Sequence, residues 1–368
     1  MRAKQAVLVA LFALCACGPS PRPVPPSLEN AWPTALGNER RAGYENELIS
    51  DSLHVVWDHN AGSGMRASIL ATDSAVFVGT TNRQLLAFGT RTGRRFWDQR
   101  LEGEIPGDVV RSGRTLFLIT AETNGAVHAH DMARGRRLWR HVIGTSSAGP
   151  MVDGQVVYAG NDRGYVYALR TTDGSQLWRT QVGGRVSTVP IDAGAALIVV
   201  TATDTLYRIA KADGRVLARG TIASSAAAPP ALAGDTLVLA TYSGAVIGVS
   251  ATSLTTLWTV NTGTSVTAAP IIGSDGVIHV LNRHAEIWRI EQGRGTRVAA
   301  LGGAVAASFT LVRGRYIVGR LDGTLLVTDL AGRVVARFKF DDSIPTPAAV
   351  HAGGVYVPFR RGQIVKLQ

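Results

Sequence analysis

A tryptophan recurs along this chain at nearly fixed spacing. Trp57, Trp97, Trp139, Trp178 and Trp258 lie on a ruler that continues through Ala218, Val298 and Ala336, with steps of 40, 42, 39, 40, 40, 40 and 38 residues. A second ruler, Pro150, Pro190, Pro230 and Pro270, has the same 40-residue step. Two residue types on one period mean that one structural unit is repeated, and the fold must let such units bury one another. Trp32 and Trp288 lie off the ruler.

Each unit reads as four short strands. In the unit that starts at Met151, Val156 to Gly160, Tyr165 to Leu169 and Leu177 to Val182 alternate in polarity or run apolar. Asn161-Asp162-Arg163-Gly164 and Thr172-Asp173-Gly174 separate them as hairpin turns. No stretch carries a helical period with caps. Four-stranded units of about 40 residues predict an all-β propeller, because a ring of blades leaves no broad face exposed and only short edges. The recurring Trp97, Trp139, Trp178, Trp258 and Trp57 are expected to be wedges between neighbouring blades.

The last unit stops short. Val355-Tyr356-Val357 and Gln363 to Leu367 supply inner strands but no outer one. His54-Val55-Val56-Trp57 is an outer strand with no blade before it. Pairing the two closes a ring of eight blades over 49–368, or of seven if the loose unit Val266 to Val298 is degenerate.

The N-terminus reads as an address. Arg2 and Lys4 precede an apolar run from Ala6 to Ala16, too short to span a bilayer and suited to a signal peptide over 1–16. Leu14-Cys15-Ala16-Cys17 resembles a lipobox, which makes Cys17 the expected lipid attachment site. Residues 17–48 then form a tether, with five prolines between Gly18 and Ser27 that favour extended polyproline II.

Cys15 and Cys17 are the two cysteines, which excludes a disulfide framework, a four-cysteine zinc site and a cysteine nucleophile in the body. The charge is +11, from 38 basic and 27 acidic residues. The basic residues are almost all Arg and are spread along the sequence, without the stripe or tail of a nucleic-acid protein. His128 and His130 share one strand face without a local carboxylate and read as packing imidazoles. Asp341-Asp342 reads as a turn. Catalytic residues, metal ligands and cofactors are none on this reading.

The unit Val-Tyr-Ala-Leu-x(3)-Asp-Gly-x(3)-Trp at Val166 to Trp178 resembles the PQQ-like propeller repeat. With the lipobox and Pro-rich tether, the chain resembles the BamB-type lipoproteins of outer-membrane β-barrel assembly. That resemblance implies a non-catalytic scaffold, lipid-anchored to the outer membrane and facing the periplasm. Its implied partners are the barrel-inserting subunit and unfolded barrel proteins, not nucleic acid. Carried over loosely, it marks Arg185 and Val186, in the loop before a mid-ring first strand, as partner-binding residues. The alternatives are a binding module of another envelope system and, with neither the cysteine pair nor the insertions of quinoprotein dehydrogenases, a quinoprotein enzyme.

Overall fold

The computed structural model describes residues 44–45, 48–50, 52–306 and 309–368. Every regular element among them is a β-strand. They form eight sheets, one per repeat, in a ring. Blades 1 to 7 span 70–100, 110–142, 151–181, 191–221, 231–261, 271–300 and 309–339. Blade 8 takes three strands from 349–367 and its outermost strand, Val55–Asn60, from the other end of the chain. That strand pairs antiparallel with Gln363–Leu367, from Val55 opposite Leu367 to Asn60 opposite Gln363. The ring is therefore eight-bladed and closed by its termini.

The loose unit is a full blade. Its last two strands, Glu286–Glu291 and Arg294–Ala300, are joined by Gln292-Gly293, with φ of 49° and 77°. Two positive φ values in a two-residue loop suit the twist of a hairpin, so the usual five-residue turn, and its Asp-Gly signal, is missing here.

The Trp wedges work through a socket in the next blade. The indole N–H groups of Trp57, Trp97, Trp139 and Trp178 donate to the carbonyls of Thr90, Met132, Thr171 and Lys211 at 2.9, 3.2, 2.8 and 2.8 Å. Each acceptor lies in the turn before the outermost strand of the following blade. The ring rests on that turn's glycine: a Cβ on Gly174 (φ +71°) would sit 2.5 Å from Trp139. Gly93, Gly135 and Gly214 hold the same place under Trp57, Trp97 and Trp178, and Gly293 under Trp258. Glycine is required twice over, by the left-handed turn and by the ring above it.

One joint reverses the sizes. Blade 4 has Ala218 where five other blades have Trp, and the blade 5 turn has Leu254 where the turns under those five Trp have Gly. Leu254 is buried, packs in a cluster with Ala218 against it, and holds a φ of +59°. The large residue has moved across the interface, at the cost of a strained backbone that a branched-chain residue rarely adopts.

Eight apolar clusters fill the joints between blades. Buried polar groups sit there as well. His128 and His130 are buried with rings 5.9 Å apart, bonded to Thr120 Oγ1 and the Gly135 carbonyl. Burial pushes His128 down to about 3, so it is neutral at neutral pH. Lys211 crosses from blade 4 to blade 3, with Nζ at 2.6 Å from Asp153 and 2.5 Å from Asp192.

The expected tether carries one surprise. Tyr44 and Glu45 pair in parallel with Leu311 and Val312 on the innermost strand of blade 7. Part of 17–48 is thus joined to the ring. The lipobox and Cys17 lie outside the described residues, as does Trp32.

Candidate functional site

The loops entering each first strand and the turns between second and third strands share one face of the ring. The entering loops are not free. Val186 forms a bridge to Thr201, and Ala226 forms the equivalent bridge to Thr241 one blade on. Ala202 N–H donates to the Arg185 carbonyl at 2.8 Å, and Tyr242 N–H to the Ser225 carbonyl at 3.2 Å. Loop and turn are zipped together, so side chains alternate between core and solvent.

That alternation separates the two residues expected to bind a partner. Arg185 is exposed. Val186 is 0% exposed, packs in the core between blades 3 and 4, and lies over Gly160. The expectation for Val186 is corrected: a side chain held in the core has no surface to offer a partner.

Arg185 stands at one end of a groove of about 350 Å³ between blades 4 and 5. Ala226, Ala227, Ala228 and Pro229 give it a small-residue lining, while Asp204 and Tyr242 add a carboxylate and an aromatic ring. Asp204 accepts the Ser225 hydroxyl at 3.0 Å, which ties the blade 4 turn to the blade 5 entering loop. Tyr242 is 63% exposed, the most exposed aromatic side chain among the described residues. An exposed Tyr, an Arg and a shallow apolar floor are the ingredients of an interface hot spot. Tyr242 was not singled out from sequence. The available signal was a large aromatic at the turn position where blades 3 and 4 carry Asp162 and Ala202.

Ser187, Thr188 and Pro229 continue this groove into a second cavity of about 210 Å³ on the ring axis, to which all eight blades contribute. Its wall is mainly small and apolar, with Arg66 and Asp108 as the charged residues. Asp341-Asp342 lies elsewhere on this face. Asp342 accepts the backbone N–H groups of Ser343 and Arg361 at 2.8 and 2.6 Å, a turn-capping role. The described residues contain no group of three or more His, Cys, Asp or Glu that could hold a metal.

A family model described as outer membrane protein assembly factor BamB matches residues 51–141 and 123–253, more than half of the chain. The assembly factor BamB of Kangiella koreensis is 29% identical over 126 residues, 32% of this chain and 32% of its own length. The matches to such relatives span about a third or less of their length. The crystal structure of BamB from Moraxella catarrhalis superposes with a TM-score of 0.71 at 16% identity, covering 86% of this chain and 97% of that one. Quinohemoprotein alcohol dehydrogenase from Comamonas testosteroni superposes with a TM-score of 0.76 at 12% identity, covering 93% and 81%. At such identities the structural likenesses speak to fold alone.

The dehydrogenase likeness poses a test for the axial cavity. An organic quinone bearing several carboxylates needs a pocket of roughly 300–1,000 Å³ with convergent cationic and polar groups. Here the cavity is about 210 Å³. Its single cation, Arg66, has a side chain 65% exposed and lies 3.6 Å from Glu104, and Asp108 would repel a carboxylate. The residues do not fit such a cofactor.

Proposed function

Because the chain belongs to the PQQ-like repeat family described as outer membrane protein assembly factor BamB, we propose that it is a non-catalytic scaffold supporting assembly of outer-membrane β-barrel proteins. Its partner on this reading is the periplasmic part of the barrel-inserting subunit, with unfolded barrel proteins as further clients. The groove between blades 4 and 5 is the supporting observation. Rigid zipped loops hold Arg185, Asp204 and Tyr242 around a small-residue floor. Such a site binds without having to order mobile loops, which lowers the entropy cost of association.

The test is capture of the purified barrel-inserting subunit. Arg185→Glu and Tyr242→Ala should each weaken binding by about 1–3 kcal/mol, as for hot-spot residues, with melting temperatures unchanged. Arg215→Glu makes the same charge change in a turn on the opposite face, where Arg215 pairs with Asp213 at 2.7 Å. It should bind as wild type. Wild-type capture by both groove variants, or equal loss in the Arg215 variant, removes this groove from the interface.

The reading includes a membrane anchor. Cys17, acylated through its lipobox and followed by a Pro-rich spacer, would hold the ring near the outer membrane with the body in the periplasm. Replacing Cys17 with Ser should move the protein into the soluble periplasmic fraction. Continued lipid-dependent sedimentation of that variant would contradict the anchor.

A further inference from the structure

The positive charge that looks scattered in the sequence is concentrated by the ring. The tripeptide Gly-Arg-Arg occurs twice, at Gly93-Arg94-Arg95 and Gly135-Arg136-Arg137. Both copies fall in the turn before the outermost strand, in the adjacent blades 1 and 2. The Trp socket brings them side by side. Trp97, two residues after Arg95, lies over Gly135 and donates to the Met132 carbonyl at 3.2 Å. Arg134 and Arg136, on either side of Gly135, therefore lie next to the strand that begins at Arg95. Arg91 and Arg94 lie on either side of Gly93 in the neighbouring turn.

These turns differ from their counterparts in charge balance. Arg170 pairs with Asp173, Arg215 with Asp213 and Arg333 with Asp329, each within its own turn, at 3.5, 2.7 and 2.7 Å. In blades 1 and 2 the residues before the turn glycine are Thr92 and Arg134, so no Asp stands there. Arg91, Arg94, Arg95, Arg134 and Arg136 are exposed, and their guanidinium groups make no ion pair or hydrogen bond among the described residues. Nearby, Asp131 is occupied with the Arg134 backbone N–H at 3.0 Å, and Glu102 pairs with Arg137. Edge strands are often protected by charge, but protection is served equally by balanced turns such as those of blades 3 and 4.

We propose that the paired Gly-Arg-Arg turns of blades 1 and 2 form a docking face for the phosphate groups of anionic lipid headgroups. Guanidinium groups bind phosphate oxygens in a two-pronged geometry that ammonium groups cannot reproduce. Leu138, 46% exposed at the start of the adjoining outer strand, supplies apolar contact beside the charges. A lipid surface is favoured over an acidic protein because the five exposed groups are spread over the turns of two adjacent blades, a spread that suits many mobile phosphates better than one fixed set of carboxylates. The proposed acyl anchor would keep this rim close to a bilayer, although the face itself is independent of the anchor and of the groove on the opposite side.

The test uses a chain beginning at Gly18, which retains every strand of the ring and carries no acyl group. It is mixed with vesicles of phosphatidylcholine alone or with about one-third phosphatidylglycerol. Binding is expected to the anionic vesicles only and to be lost at high salt. R94E/R136E should weaken it at least about tenfold, since each basic group near an anionic surface contributes about a factor of five. R294E/R313E, with the same charge change at exposed sites on blades 6 and 7, should bind as wild type. Equal losses in the two double variants would reduce the effect to net charge and overturn the site. So would equal binding to both vesicle types, or displacement by inorganic phosphate at low millimolar concentration, which would mark a small-ion site. Binding of a Glu-rich peptide without vesicle binding would reassign the face to an acidic protein.

Discussion

A chain truncated through His59 is expected to lose cooperative folding, whereas one truncated through Glu47 should melt close to the full-length protein. The first cut removes most of the outer strand of blade 8, with Trp57 and its bond to the Thr90 carbonyl. The backbone groups of Gln363–Leu367 then face solvent or go unpaired, and blade 1 loses the ring that covers Gly93. Five paired positions and a buried Trp together approach the whole net stability of a domain, about 5–15 kcal/mol. Among the described residues, the second cut removes only the two-residue parallel pairing of Tyr44 and Glu45. Thermal unfolding of the two truncations decides the matter. Equal melting temperatures would mean that the terminal strand does not close the ring.

The socket between blades should show an equally large effect. Trp139→Ala is expected to cost about 3–5 kcal/mol, through lost burial, an empty site over Gly174 and an orphaned Thr171 carbonyl. The joint between blades 4 and 5 supplies a sharper form of this test. Ala218→Trp alone should destabilise, because Leu254 already fills the space. Leu254→Gly alone should destabilise through the cavity it leaves, partly offset by relief of the strained φ. The double exchange A218W/L254G rebuilds the arrangement of the five Trp joints and should recover most of the loss, a favourable coupling of about 1–3 kcal/mol. Additive losses in chemical denaturation would show that the two residues do not share one site.

Much of this architecture is legible in the sequence because a propeller repeats its packing. The Trp and Pro rulers give the blade length, and the orphan strand at Val55 gives the closure. What escaped is whatever depends on contacts between repeats. Leu254 looks like an ordinary turn residue until it is seen beside Ala218, 36 residues earlier. Arg94 and Arg136 are 42 residues apart and look scattered, yet the socket of Trp97 brings their turns together. The family resemblance marks Val186 with Arg185 as partner-binding, but its bridge to Thr201 turns it inward. Tyr242 gave a weak signal, since a single aromatic in a turn has no period to mark it. The groove it borders exists only because two entering loops are zipped to two turns in neighbouring blades.

On the proposed function, the face between blades 4 and 5 binds the barrel-inserting machinery. The most direct measurement places a photo-crosslinking residue at position 242 in cells, with a second at position 294 on the outer strand of blade 6 as reference. A strong adduct is expected between position 242 and the barrel-inserting subunit, absent from position 294 and weakened by Arg185→Glu. An adduct from position 242 only to proteins of another envelope system, or the same adduct pattern from both positions, would contradict it.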